Sequence, residues 1–161
     1  MPSPSQGMLY APFPFRMSRK RSATVTRERA SLHQLARGRS LSLPILVVDD
    51  DVAVRRSIEW LLQGDGYRVV TAADGAEALD RLRKGLDPWL ILLDLAMRGM
   101  DGFEFRKAQI QDPRLAPIPV AVYSARGMGA RKGGLRGVTY LRKPFDAEAL
   151  LELVEQHCSR G

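Results

Sequence analysis

The sequence ILVVDDD at residues 45–51 places three carboxylates directly after a run of four branched apolar side chains. Two further runs have the same form: LILL at residues 90–93 precedes Asp94, and VTYLR at residues 138–142 precedes Lys143. Short runs rich in Val, Ile and Leu are typical of the buried strands of a parallel sheet. The carboxyl ends of such strands meet at one edge, where functional groups collect. We therefore expect the acids and the lysine to lie together.

From Pro44 onward, patterns typical of strands and of helices alternate along the chain. This alternation predicts an α/β protein with a flavodoxin-like, doubly wound, five-stranded parallel sheet and right-handed crossovers. The first and third strands are the most apolar and should be central, which gives the strand order 2-1-3-4-5. The second strand alternates between polar and apolar side chains, as expected at a sheet edge. The predicted strands are 45–49, 67–71, 89–93, 118–123 and 138–142, with helices at about 51–63, after Asp74, at about 102–111 and after Asp146.

The strand order predicts an acidic cluster between the first and third strands. Asp49, Asp50 and Asp94 would face one another there, and carboxylates packed so closely repel unless a cation offsets their charge. Mg²⁺ prefers oxygen ligands and often takes only one or two carboxylates together with a phosphate. Asp50 and Asp94 supply that number, and Asp49 could act through a coordinated water. The sequence therefore predicts a magnesium site that shares its ion with an anion.

The same edge of the sheet carries groups that suit phosphoryl transfer. A carboxylate such as Asp94 can attack phosphorus and form an acyl phosphate. Lys143 could then pair with one phosphoryl oxygen, and the hydroxyl of Ser124, at the end of the fourth strand, could donate to another. Each residue also has an ordinary explanation, since an Asp after a strand is often a helix cap, which is the role we expect for Asp51. The coincidence of suitable residues at four strand ends favours a site.

The bulk composition limits the class of protein. A chain of 161 residues suits one domain with a core that needs no disulfide, and the single cysteine, Cys158, excludes an internal one. No apolar stretch approaches the roughly 18–20 residues that span a bilayer, and residues 1–43 lack the apolar core of a secretory signal. We therefore expect a cytoplasmic protein.

The excess of basic over acidic residues lies at the beginning of the chain. Residues 1–44 contain eight arginines and lysines against one acid, Glu28, which accounts for the whole net charge of +7. Residues 1–43 are rich in Pro, Ser and Arg, without a sustained period, and we expect them to be a disordered basic extension. Three interpretations stay open: a tail that touches nucleic acid or an acidic membrane surface non-specifically, a solvated extension without a partner, or a start codon assigned too far upstream.

The segments ILVVDDD, LILLDLAMRGMDG, VAVYSA and TYLRKPF together resemble the response-regulator receiver domain of bacterial two-component signalling. The resemblance covers about residues 44–158, so we expect a receiver domain over residues 44–161. It implies a role for each of several residues, as follows: Asp94 as phosphoacceptor; Asp49 and Asp50 as the acidic pair that holds Mg²⁺; Ala96 as the donor of a backbone carbonyl to the metal; Ser124 and Tyr140 as the switch residues; and Lys143 as the phosphoryl-binding lysine, with a cis bond before Pro144.

The resemblance also implies how such a protein works. Receivers take a phosphoryl group from a phosphohistidine on a sensor histidine kinase or histidine phosphotransfer protein, depend on Mg²⁺, and change their affinity for a downstream protein. We expect a stand-alone receiver of this kind, with an unknown downstream partner and no enzymatic activity beyond its own phosphotransfer and dephosphorylation. The alternatives are a degenerate receiver that serves as a phosphorylation-independent scaffold, and a nucleic-acid-binding protein driven by residues 1–43. A dehalogenase-type phosphatase is excluded because Ala96 stands where it needs a second Asp.

Two departures from the family pattern stand out. Arg98 occupies a loop position that usually carries a proline, and we expect it either to face solvent or to add a cation near the phosphoryl site. Residues 125–137 contain five glycines in 13 positions, and each disfavours a helix by about 1 kcal/mol relative to alanine. The helix expected after the fourth strand should therefore be short, frayed or absent.

Overall fold

The fold is a parallel sheet covered by helices on both faces. The computed structural model describes residues 43–125, 135 and 137–158. Its five strands pair in parallel in the order 2-1-3-4-5, so the predicted topology is confirmed. The strands are β1 (Ile45–Val48), β2 (Val69–Ala72), β3 (Leu90–Leu93), β4 (Val120–Ser124) and β5 (Thr139–Arg142).

The edge strand β2 departs from the predicted pattern. It begins at Val69 rather than at Tyr67, because the Tyr67 N–H donates to the carbonyl of Leu62 in the preceding turn. Its burial does not alternate either: three residues are half-buried and Ala72 is buried. The reason is that both faces of the strand are covered, since Val69 and Val70 pack against the cores on opposite sides of the sheet. β2 does lie at the edge of the sheet, as predicted, but the predicted alternation does not appear in its burial.

Four helices lie among the described residues, and each begins after an aspartate. The caps predicted at Asp51, Asp74 and Asp146 are confirmed, because each side chain accepts a hydrogen bond from a backbone N–H in the first turn. Asp101 forms a capping box with Glu104. The helices are α1 (Val52–Gly64), α2 (Gly75–Arg83), α3 (Gly102–Gln111) and α4 (Ala147–Cys158).

Alternate side chains of the central strands feed two separate cores. Leu46 and Val48 point into one core, which α2 and α3 close with residues such as Phe105. Ile45 and Val47 point into the other, which α1 and α4 close. All four residues of β1 and all four of β3 are fully inaccessible to solvent. The two central strands are therefore packed on both faces, and this packing positions Asp49 and Asp94, the residues that follow them.

The predicted basic extension and the predicted irregular helix after β4 fall largely outside the residues that the structure describes. The helix predicted to be short or frayed after β4 falls mostly on residues 126–134 and 136, which lie outside the described residues, as do residues 1–42. Within the described ranges, no helix is long and apolar enough to cross a membrane.

Gly102, the first residue of α3, allows that helix to approach β3 closely. A Cβ at this position would lie 2.3 Å from the Asp94 carbonyl oxygen and 2.8 Å from the Leu95 Cα. Both atoms belong to the backbone, so a methyl group can be admitted only if the helix shifts away from the strand end. We therefore expect Gly102→Ala to lower the free energy of unfolding, measured by urea denaturation, by about 1–3 kcal/mol.

Gly64→Ala is the matched control, because a Cβ on Gly64, at the end of α1, meets no atom within 4 Å. The control should be neutral or more stable by up to about 1 kcal/mol, the helix preference of alanine over glycine. Equal stability of the two variants would contradict the tight packing of α3 against Asp94.

Candidate functional site

Three aspartates form an acidic cluster at the carboxyl ends of the two central strands. Asp49 and Asp50 follow β1, and Asp94 follows β3; the two strands pair in parallel with Val48 opposite Leu93. Each aspartate offers one carboxylate oxygen, and these oxygens all lie within 4.8 Å of one another. Asp49 is fully buried and Asp94 nearly so, while Asp50 is half-buried. The structure thus brings together the three acids that the sequence predicted to converge.

Lys143 joins two of these carboxylates. Its Nζ lies 2.9 Å from Asp49 Oδ2 and 2.9 Å from Asp94 Oδ2. The lysine follows β5, and its backbone N–H donates to the carbonyl of Ser124 at the end of β4. The peptide bond between Lys143 and Pro144 is cis, as expected from the resemblance. The side chain therefore reaches across the end of β4 to the acids of β1 and β3.

The protonation equilibria of Asp49 and Lys143 reflect this shared burial. Burial raises the pKa of the Asp49 carboxyl above its ordinary value, although the hydrogen bond and charge of Lys143 act in the opposite direction. Burial acts to lower the pKa of Lys143, but the hydrogen bond to Asp49 and the charges of Asp49 and Asp94 outweigh it, so the pKa lies above its ordinary value. The ammonium is thus held firmly in its charged form.

Asp50 has a different cation partner. Arg98, in the loop after β3, donates from its Nε to Asp50 Oδ2 at 3.0 Å and from its backbone N–H to the same oxygen at 3.2 Å. Burial alone would raise the pKa of Asp50, but the side-chain and backbone hydrogen bonds from Arg98 outweigh it and lower the pKa. Arg98 does face solvent, as one of the two interpretations expected, yet its guanidinium is bound to the acidic cluster.

The remaining predicted residues lie around the same strand ends. Ser124 is fully buried at the end of β4, and its carbonyl accepts a hydrogen bond from the Tyr140 hydroxyl at 2.9 Å. Ala96 is exposed in the loop after β3, where its backbone N–H donates to Asp94 Oδ1 at 3.2 Å. Asp51 turns away from the cluster and caps α1. Ser124 and Ala96 thus lie at the carboxyl ends of β4 and β3, Tyr140 contacts Ser124 from the second position of β5, and Asp51 has the structural role expected of it.

Two further residues contact the site that the sequence did not single out. Tyr123 lies beneath Lys143, with the ammonium 4.8 Å from its ring centroid, an arrangement typical of a cation–π contact. The guanidinium of Arg55 on α1 donates to the carbonyl of Asp49. A buried aromatic residue in a central strand and an arginine on a helix are common in any α/β protein. Neither position carried a signal in the sequence beyond its proximity to the motifs.

The donor set of the cluster suits a hard divalent cation. Mg²⁺ takes oxygen ligands at about 2.0–2.1 Å in an octahedral arrangement, so opposite ligand atoms lie about 4.2 Å apart. The three carboxylate oxygens lie within 4.8 Å of one another, a spacing that small side-chain movements or one intervening water would adapt to such an ion. The chemistry and spacing of these residues therefore fit a magnesium ion.

Comparison with known proteins agrees with this geometry. Residues 45–155 match the family described as the response regulator receiver domain. The chain belongs to this family. The family supplies the receiver domains of two-component systems, which are signalling domains. The matched span includes every residue of the acidic cluster together with Lys143.

Curated relatives include proteins of two sizes. Sporulation initiation phosphotransferase F of Bacillus subtilis is 32% identical over 114 residues, which cover 70% of this chain and 91% of that protein. The response regulator Rre1 of Synechocystis is 35% identical over 122 residues, which cover 73% of this chain and 52% of Rre1. The chain thus spans about half the length of the larger relative and nearly all of the smaller one.

Solved structures show the same fold. The chemotaxis protein CheY4 of Vibrio cholerae is similar with a TM-score of 0.64 and 34% identity, covering 71% of this chain and 97% of CheY4. The response regulator TrrA of Thermotoga maritima, solved in complex with Mg²⁺ and BeF, has a TM-score of 0.63 and 28% identity, covering 71% of this chain and 98% of TrrA. These neighbours agree with the flavodoxin-like class predicted from the sequence.

Lys143→Met should destabilise the protein at neutral pH, because two buried carboxylates would lose their cation. We expect the free energy of unfolding at pH 7 to fall by about 1–3 kcal/mol, the usual cost of a buried polar group without its partner. Lys84→Met is the control, since Lys84 pairs with Asp80 on the exposed face of α2 and should contribute about 0.5 kcal/mol or less.

The loss of unfolding free energy in Lys143→Met, relative to wild type, should change with pH in a definite direction. The raised pKa of Lys143 gives stability that is present below its unfolded pKa of about 10.4 and is lost as the pH rises through the folded pKa. At the acidic end, burial raises the pKa of Asp49, so this partner of Lys143 loses its charge at a higher pH than a free aspartate would. The deficit of Lys143→Met should therefore shrink in acid, as measured by urea denaturation without divalent ions at several pH values. A deficit independent of pH would contradict the ion pairing.

Proposed function

We propose that this receiver accepts a phosphoryl group on Asp94 from a phosphohistidine, with Mg²⁺ bound at the acidic cluster. The observation that carries the proposal is the convergence of three carboxylates, with oxygens within 4.8 Å of one another, beside the Lys143 ammonium. An isolated aspartate at a strand end is commonly a cap, as Asp51 is. Asp94 is instead nearly buried and held by a cation, which supports a chemical role.

The proposed transfer is an in-line displacement at phosphorus. An oxygen of the Asp94 carboxylate forms the new O–P bond, the P–N bond to the donor imidazole breaks, and that imidazole nitrogen takes up a proton. Lys143, 2.9 Å from Asp94 Oδ2, lies where it can pair with an oxygen of the transferred group. Such reactions depend mainly on positioning and on neutralisation of the phosphoryl oxygens. The fixed strand ends of β1 and β3 supply the positioning.

Asp50 and Asp94 are the proposed direct carboxylate ligands of the metal, Asp49 acts directly or through a water, and Ala96 contributes its backbone carbonyl. When bound, Mg²⁺ would neutralise charge on the phosphoryl oxygens and hold them against the acceptor. Ala96 stands in the same loop as Arg98 and is exposed. The structure of TrrA in complex with Mg²⁺ and BeF supports this assignment by similarity.

Ser124 and Tyr140 are the proposed switch. The Ser124 hydroxyl would donate to the new phosphoryl group, and Tyr140 would respond because its own hydroxyl is bonded to the Ser124 carbonyl at 2.9 Å. A displacement of Ser124 therefore breaks or moves a contact of Tyr140, which packs against the core formed with α2 and α3. In physical terms, a charge added at Asp94 biases a two-state element that a partner protein can recognise.

The proposed partners follow from this chemistry. The donor is a sensor histidine kinase or a histidine phosphotransfer protein in the cytoplasm, and a further protein recognises the phosphorylated form. Sporulation initiation phosphotransferase F, of which the match covers 91%, supports a role in a phosphorelay. The receiver itself would act as a phosphoacceptor that catalyses only its own phosphorylation and dephosphorylation.

The proposal is tested with a small phosphodonor. After incubation of the full chain with acetyl phosphate and Mg²⁺, intact-mass measurement should show one added phosphoryl group on wild type and none on Asp94→Asn. Chelation of the metal with EDTA should abolish the gain. Asp80→Asn is the matched control, because Asp80 lies on the exposed face of α2 and pairs only locally with Lys84.

The remaining outcomes separate the alternatives. An equal mass gain in wild type and Asp94→Asn would contradict the assignment of the phosphoacceptor. No gain in wild type with either acetyl phosphate or a phosphorylated histidine phosphotransfer protein would contradict the proposed function. It would favour the phosphorylation-independent scaffold.

A further inference from the structure

Arg98 makes a two-point contact with one oxygen of the acidic cluster. Its Nε lies 3.0 Å and its backbone nitrogen 3.2 Å from Asp50 Oδ2. The Arg98 side chain is 89% exposed, whereas that of Asp50 is only 22% exposed. Among the residues that the structure describes, Asp50 is the acid with which Arg98 pairs, and the rest of the Arg98 side chain faces solvent.

The contact completes a balance of charge within the cluster. Lys143 forms ion pairs with Asp49 and Asp94, and Arg98 forms one with Asp50, so each of the three carboxylates has a cationic partner within the protein. A divalent cation that binds the same carboxylates adds positive charge within a few ångströms of the guanidinium, and like charges at that distance repel. Metal binding and the Arg98–Asp50 ion pair therefore compete for one carboxylate.

We propose that Arg98 is an internal competitor of the metal for the Asp50 carboxylate, so that binding of a divalent cation weakens or replaces the Arg98–Asp50 ion pair. This inference rests on the proposed function, because it concerns the same metal site. Arg98 can leave without disturbing any core, since its side chain projects into solvent. Exposed ion pairs contribute little stability, so the competition tunes the affinity for the metal and does not abolish it.

The backbone bond distinguishes the two parts of the contact. Proline has no N–H, so the residue usual at this loop position in the family could make neither hydrogen bond to Asp50. Arg98→Ala removes the guanidinium but keeps the N–H that bonds Asp50 Oδ2. This substitution therefore tests the effect of the side-chain charge alone, because the backbone hydrogen bond of the loop to Asp50 is kept. Arg98→Gln provides a second neutral variant with a longer side chain.

The test is direct metal binding by the full chain. The concentration of free Mn²⁺ is measured by electron paramagnetic resonance while the unphosphorylated protein is titrated with Mn²⁺. The affinity for Mg²⁺ is then obtained from its displacement of bound Mn²⁺. We expect Arg98→Ala and Arg98→Gln each to lower the dissociation constant for Mn²⁺ by about two- to five-fold, the range set by an exposed ion pair. The difference from wild type should narrow at high salt, because exposed charges are screened.

Arg114→Ala is the matched control. Arg114 is likewise exposed and pairs with an aspartate, Asp112, at 3.7 Å, but it lies at the far end of α3. Its loss should leave the dissociation constant unchanged. An equal or weaker affinity in both Arg98 variants, with unfolding curves like that of wild type, would overturn the proposal. Failure of wild type and every variant to bind Mn²⁺ would contradict the proposed metal site itself and so the function on which the inference rests.

Discussion

The bridge from Lys143 to Asp49 and Asp94 is the contact on which the site depends. Three negative charges at adjacent strand ends would otherwise repel one another in a place where two of them are buried. A single ammonium, 2.9 Å from each of two carboxylates, offsets that repulsion and joins the ends of β1, β3 and β5. The ring of Tyr123, with its centroid 4.8 Å from the ammonium, adds a cation–π contact to these two ion pairs.

The backbone around Asp94 is fixed as firmly as its side chain. β3 is fully buried, the Asp94 N–H donates to the carbonyl of Val48 in β1, and Gly102 brings the first turn of α3 against the Asp94 carbonyl. The role proposed for Asp94, that of a nucleophile, requires a defined position more than an unusual side chain. Here the position comes from the packing of two strands and one helix, and the charge comes from residues that the sheet carries to the same edge.

Much of this arrangement was predictable, because apolar runs define strands and parallel strands bring their carboxyl ends together. These two rules are sufficient to place Asp49, Asp50, Asp94 and Lys143 at one edge of the sheet. The Arg98–Asp50 contact was not predictable in this way. The two residues are 48 positions apart, and the path of the loop that brings them together leaves no periodic pattern in the sequence. The edge position of β2 was predicted correctly, but the cover on both of its faces was not, because side-chain alternation indicates which face is apolar and not what packs against the other face.

The end of β4 belongs to both layers of the molecule. Tyr123 packs into the core made with α1 and α4, where Phe145 meets its ring edge-on at 5.9 Å. The neighbouring Ser124 carbonyl holds Tyr140, which packs into the core made with α2 and α3. The last two residues of β4 therefore contact both layers, so a displacement at this strand end would be felt by side chains on both broad sides of the sheet.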